Sequence, residues 1–159
     1  MKQGKFSRRL KAIIIGIVVV CIIVYAWVIP DLGLGIARAN PEYAAAYWPW
    51  VIFVSLTAVP IAAACVLAYR IADDIGKDKS FTEVNAKRLS VISTLAAVDG
   101  AYFWVGNLVM CFLNWSHPGV FLFCHFFVFL AAALSVAFAA LAHLTHKAAG
   151  MEEEQELTI

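Results

Sequence analysis

Ser80–Leu113, SFTEVNAKRLSVISTLAAVDGAYFWVGNLVMCFL, begins polar and ends as a nearly unbroken apolar run that carries one acid, Asp99. Ser80-Phe-Thr-Glu83 has the S/T-x-x-E spacing of a capping box, in which the Ser80 hydroxyl and the Glu83 carboxylate satisfy backbone N–H groups that a helix start leaves unpaired. A helix is predicted to begin there, to pass Asn85, Lys87 and Arg88 at a water interface, and to run apolar through 90–113. At about 1.5 Å per residue that run covers a hydrocarbon layer of about 30 Å, with Asp99 roughly a third to a half of the way in. The stretch therefore predicts an all-α, polytopic membrane protein.

Composition agrees. The 159 residues are 63% hydrophobic and 14% charged, with a mean hydropathy of +0.82, whereas soluble domains hold about 45–50% apolar and about 25% charged residues. Four apolar spans, 12–29, 50–69, 90–113 and 120–144, predict a single four-helix transmembrane bundle. The first is not read as a secretory signal, because Ala12–Ile29 is longer than the usual h-region of about 7–15 residues and Ala37-Arg-Ala39 lies too far beyond it. Pro30 is expected to close that span. After it, Gly33, Gly35, Asn40 and Pro41 predict an external loop. Within the loop Asn40-Pro41-Glu42 reads as N-cap, N1 proline and first-turn acid of a short interfacial helix, Pro41–Tyr47. Tyr25, Trp27, Tyr43, Tyr47, Trp48, Trp50 and Trp115 are expected at headgroup depth. Pro60 predicts a kink in the second span, with Ser55 and Thr57 near enough to satisfy freed backbone groups.

Charge placement sets the orientation. Lys2, Lys5, Arg8, Arg9 and Lys11 precede the first span; Arg70, Lys77, Lys79, Lys87 and Arg88 lie in the 70–89 loop; Lys147 follows the fourth. Arg38 alone lies on the other side, so the positive-inside rule puts both termini and the 70–89 loop on the cytoplasmic side of a cell membrane. Asn114–Gly119 is a short turn that makes the last two spans an antiparallel hairpin. The 147–159 tail, rich in glutamate, is expected to be mobile in water.

Candidate functional residues follow from cost. An acid within a span is costly to bury, so Asp99 is either a sensing or proton-coupling group, or a neutral, hydroxyl-bonded acid that fixes helix register. Folding the hairpin about its turn puts Ser135 at a similar depth, as a hydroxyl partner for Asp99. Asn107 and His125 likewise meet nearer the outside, as an interhelical hydrogen bond. Cys111, Cys124 and His125 lack a defined metal-ligand spacing, and no metal or cofactor is expected. His143 and His146, at i and i+3, are read as carbonyl caps or headgroup contacts. Phe81, Thr82, Glu83, Asn85 and Lys87 are candidates for docking a cytoplasmic partner, against the simpler reading of a solvated, capped helix start.

Lys79-Ser-Phe-Thr-Glu-Val-Asn-Ala-Lys-Arg-Leu89 resembles a segment between the second and third spans of the YoaS-like family, uncharacterised four-helix bacterial membrane proteins. The Pro118-Gly119 turn and the Leu157-Thr-Ile159 end are similar too. The resemblance implies no established activity. In that family the genes commonly lie beside those of small helix-turn-helix repressors, so the resemblance implies a bacterial inner-membrane partner for a DNA-binding regulator, without direct nucleic-acid contact by this chain.

Three classes of function are compatible with a bilayer-embedded chain of this kind. A regulatory or sensory protein acting on a cytoplasmic regulator is preferred; a small transporter or channel subunit using Asp99 would need a homo-oligomer, because four spans leave little room for a pathway. An enzyme is not expected, since H-E-x-x-H, CxxC, Ser/His/Asp spacing and phosphate loops are all missing from the sequence. On a cysteine-free background, a single cysteine at Gly35 should react with an impermeant thiol reagent in intact cells and one at Lys77 should not. Outside labelling at Lys77 would reverse the orientation.

Overall fold

The computed structural model describes the backbone of residues 2–157 and the side chains of residues 3–151. Among these residues the secondary structure is helical, in four stretches long and apolar enough to cross a membrane: Gln3–Ala39, Pro41–Gly76, Glu83–Phe112 and Pro118–Met151.

The first stretch consists of α1 (Lys2–Ile23), a π-helical segment (Val24–Val28) and α2 (Ile29–Ala39). Pro30 therefore does not close the helix, contrary to the sequence reading. A proline ring crowds the carbonyl one turn back and offers it no N–H, and the wider π turn just ahead of Pro30 relieves that crowding. The helix runs on past Tyr25, whose hydroxyl lies 2.6 Å from Thr57 Oγ1. Asn40 ends α2 by donating its backbone N–H and its Nδ2–H to the Ile36 carbonyl, at 2.9 and 3.1 Å. It closes the preceding helix and makes no side-chain cap to the next.

The second stretch enters through a 3₁₀ segment (Pro41–Ala46) and α3 (Tyr47–Leu56), then continues as α4 (Ala58–Gly76). The two helices break at Thr57, three residues before Pro60, and both the N–H and the hydroxyl of Thr57 turn back onto the Val54 carbonyl, at 3.1 and 2.7 Å. The hydroxyl thus satisfies the Val54 carbonyl, not the Leu56 carbonyl that Pro60 leaves without its usual donor.

α4 and α5 (Glu83–Phe112) both extend into the expected charged loop, so only Lys77–Thr82 connects them. Asp78 adopts a left-handed backbone (φ 60°), which lets Lys79 N–H reach the Asp74 carbonyl at 3.0 Å. Asn114 (φ 54°) ends α5 in the same way, with Trp115 N–H on the Met110 carbonyl at 2.9 Å. Both are Schellman closures made by residues that tolerate this conformation better than most non-glycines. The last helix, α6 (Pro118–Leu157), continues as helix where a mobile tail was expected, and the side chains of 152–159 lie outside the described residues.

α1 packs on α4, α4 on α5, and α5 most extensively on α6. Small residues permit the closest approaches. A Cβ at Gly100 would stand 3.0 Å from Ala131 Cβ, and one at Gly106 would stand 2.0 Å from the Phe53 ring. Phe53 in turn stacks on Phe103, with ring centroids 5.4 Å apart, and its carbonyl accepts from the Tyr102 hydroxyl at 3.1 Å.

The helix start also differs from the sequence reading. Thr82 is extended (φ −127°, ψ 151°) and its hydroxyl accepts from Asn85 N–H at 3.3 Å, so Thr82, and not Ser80, is the N-cap of α5. Thr82→Ala should thus lower stability in detergent by about 0.5–2 kcal/mol, the usual worth of a cap. Ser80→Ala should cost less, and thermal unfolding of the two variants side by side checks the order.

Candidate functional site

The polar side chains of the charged end are partnered, whereas among the described residues Asp99 in the middle is not, and Asn107 Oδ1 and Ser116 Oγ are buried without a hydrogen-bond partner. At the charged end Asn85 is fully buried. Its Nδ2 donates to the carbonyls of Lys79 (2.9 Å) and Ser80 (3.4 Å), and its Oδ1 accepts from Arg88 Nη1 at 2.8 Å. The same guanidinium nitrogen pairs with Asp74, so one amide and one ion pair tie the α4–α5 connection to both helices. Asp73 accepts from Lys11 of α1 and from Lys77, the latter at 2.5 Å. Ser7 is buried against α4, donating to the Ala72 carbonyl at 2.5 Å and lying against Gly76. Glu83 meets His146 of α6 at 2.5 Å, which replaces the carbonyl or headgroup contact expected of that histidine. All four helical stretches are joined here by polar contacts.

These contacts sort the docking candidates. Asn85 points inward and is unavailable to a partner, because its hydrogen-bonding groups hold the connection together. Thr82 is occupied as the cap, while Phe81, Glu83 and Lys87 are exposed.

Asp99 lies on α5 one residue before the close approach of Gly100 to Ala131. Ser135, its expected partner, instead accepts from Ser93: the Ser93 hydroxyl donates to the Ser135 carbonyl at 2.8 Å and lies 3.3 Å from its Oγ. Ser93 precedes Asp99 by nearly two helical turns, so the hairpin register pairs the two serines and leaves the acid elsewhere. Asp99 faces a cleft of about 480 Å³ between α1, α4, α5 and α6, lined among others by Ile14, Pro60, Ala64, Leu95, Phe103 and Leu134. Thr57 is the other polar lining residue, and its hydroxyl is already engaged by Val54 and Tyr25. Among the described residues Asp99 has no hydrogen-bond partner.

An unpaired carboxyl in an apolar cleft can exchange a proton or receive a cation or a hydrogen-bond donor, since each relieves the cost of keeping it there. The break between α3 and α4 borders the cleft, which Thr57, Pro60 and Ile61 line.

Asn107 and His125 do not bond each other. Asn107 Nδ2 donates to the Phe121 carbonyl at 3.3 Å, and His125 Nδ1 lies 2.9 Å from the same oxygen, so both brace the start of α6. The sequence reading missed the Asn85 node, the Tyr25–Thr57 bond and the Ser93–Ser135 contact. Only the first had a local signal, the i, i+3 spacing of Asn85 and Arg88 beside the acids Asp73 and Asp74. Cys111 is exposed and Cys124 buried, and no three His, Cys, Asp or Glu side chains converge as a metal centre among the described residues.

Helical architecture and site define a protein of four bilayer-length helices with an acid in an internal cleft. Residues 32–159 match the model of the family described as "Protein of unknown function (DUF2975)", and the chain belongs to that family. No curated protein and no solved structure matches it.

The charged end makes a pH prediction. Hydrogen bonds from Lys11 and Lys77 hold the Asp73 carboxyl down from 3.8 to about 2, and Asp73 in return raises Lys77 above 10.5. For Asp73 the folded value lies below the unfolded one, so its stabilisation is complete above the unfolded value and is lost as pH falls through the folded one. For Lys77 the sign reverses, and its contribution is lost as pH rises past its folded value. Asp73→Asn should therefore flatten the acid limb of stability between 3.8 and about 2, as well as part of the alkaline limb, in detergent unfolding followed against pH.

Proposed function

We propose that the protein is a regulatory membrane protein, oriented with its charged end in the cytoplasm of a bacterial cell, that reports the state of Asp99 to a cytoplasmic partner. The observation that carries the reading is the unpaired acid in the cleft between the four helical stretches. Protonation of Asp99, or a cation held there, changes what the cleft walls can accommodate and so the packing of α4 against α5. Both helices end at the Lys77–Thr82 connection, whose geometry depends on Asn85, Arg88 and Asp74. The exposed Phe81, Glu83 and Lys87 stand beside that connection and offer a partner one apolar and two charged contacts. A small DNA-binding regulator of the helix-turn-helix kind suits this output, with the membrane protein itself touching no nucleic acid.

A second reading, a transporter subunit, is favoured by one feature. α1 packs mainly on α4 and leaves most of its apolar surface outward, which a second copy could cover to complete a pathway past Asp99.

The two readings separate in the Asp99→Asn variant, which keeps the shape of the side chain and cannot titrate. Under the regulatory reading it accumulates normally and abolishes the pH or ligand dependence of transcription controlled by the partner. Under the transport reading it abolishes proton-linked uptake in vesicles instead. Full retention of both dependences removes Asp99 from the function.

A further inference from the structure

At the aromatic end, a pocket of about 230 Å³ lies between α2, the 3₁₀ segment, α3 and the start of α6. Rings stand among its aliphatic walls, including Tyr47, Trp50, Phe103, Trp115 and Phe123. We propose that it binds a small, neutral, single-ring molecule with one hydroxyl, of the phenol class, held through Ser116.

Four observations fix that chemistry. Size comes first: the volume falls below the range of about 300–1,000 Å³ typical of pockets for drug-sized ligands, which suits one ring. Shape is second, because flat aromatic walls favour a further ring in edge-to-face or offset contact. Charge is third: the lining holds no Asp, Glu, Lys or Arg, so a charged ligand would enter without a counter-ion.

The fourth observation is the hydroxyl of Ser116. Ser116 lines the pocket, is 9% exposed, and its Oγ is shielded without a hydrogen-bond partner. Of the neighbouring polar groups, Trp50 Nε1–H donates to the Trp115 carbonyl at 2.7 Å and Gly119 N–H donates to His117 Nδ1 at 3.0 Å, while the Tyr43 and Tyr47 hydroxyls, which also belong to the lining, are not shielded as Ser116 Oγ is. A buried hydroxyl left alone is unfavourable, and a ligand hydroxyl would satisfy it.

The pocket also has a direction of influence. Phe103 and Phe127, with ring centroids 6.5 Å apart, line both this pocket and the Asp99 cleft. They form a wall common to the two spaces. A ring in the outer pocket therefore presses on one face of the cleft, whatever the cleft itself does. The proposal does not depend on a role for Asp99.

The test uses the full chain purified in detergent, titrated calorimetrically with p-cresol and with toluene, which has the same ring and methyl group without the hydroxyl. Wild-type protein should bind p-cresol saturably and about three- to tenfold more tightly than toluene, the ratio one hydrogen bond provides. Ser116→Ala should lose that preference while binding toluene as before. Ser116 makes no hydrogen bond, so the alanine variant is expected to fold, and helical circular dichroism checks that it does. Equal affinity for the two probes in wild type, no saturable binding, or an unchanged preference in Ser116→Ala would each overturn the proposal.

Discussion

The buried amide of Asn85 is the constraint on which the charged end depends. It holds two carbonyls of the Lys77–Thr82 connection with one end and Arg88 with the other, while Arg88 reaches Asp74 across the α4–α5 turn. Asparagine suits the position because it offers donors and an acceptor together without bringing a charge. Around that node the Ser7–Ala72, Lys11–Asp73 and Glu83–His146 contacts add α1 and α6 to the same end. Apolar packing between helices is weakly directional, and in a hydrocarbon layer it has no hydrophobic driving force, so a few polar ties carry much of the register.

Register fixed at one end leaves freedom in the middle. Gly100 lies close against Ala131 and Gly106 under the Phe53 ring, and between these approaches and the break at Thr57 a cleft stands beside Asp99. Nothing among the described residues bonds the Asp99 side chain, so the acid adds little to the fold that a leucine would not. Residues kept at a cost in stability are characteristic of functional sites. The contrast is between a partnered amide at the end and an unpartnered acid in the middle.

Much of the architecture was legible in the sequence because it rests on runs of apolar residues and on turns. The four helices, the hairpin at Asn114–Gly119 and the disturbance near Pro60 all follow from local chemistry. What misled was local chemistry overridden by neighbours. Pro30 looked like a stop until a π turn absorbed it, Ser80 had the spacing of a cap that Thr82 took, and Ser135 had the depth of Asp99 but the register of Ser93. The inward turn of Asn85 and the cleft itself depend on how α4 lies across α5, which no periodicity encodes.

Replacing each of the two residues with leucine tests the division of roles most directly. The account predicts that Asn85→Leu, which strands two carbonyls and part of a guanidinium, lowers unfolding stability in detergent by about 2–5 kcal/mol. Asp99→Leu should leave stability unchanged or raise it. Equal losses in the two variants, or a larger loss at Asp99, would contradict the account.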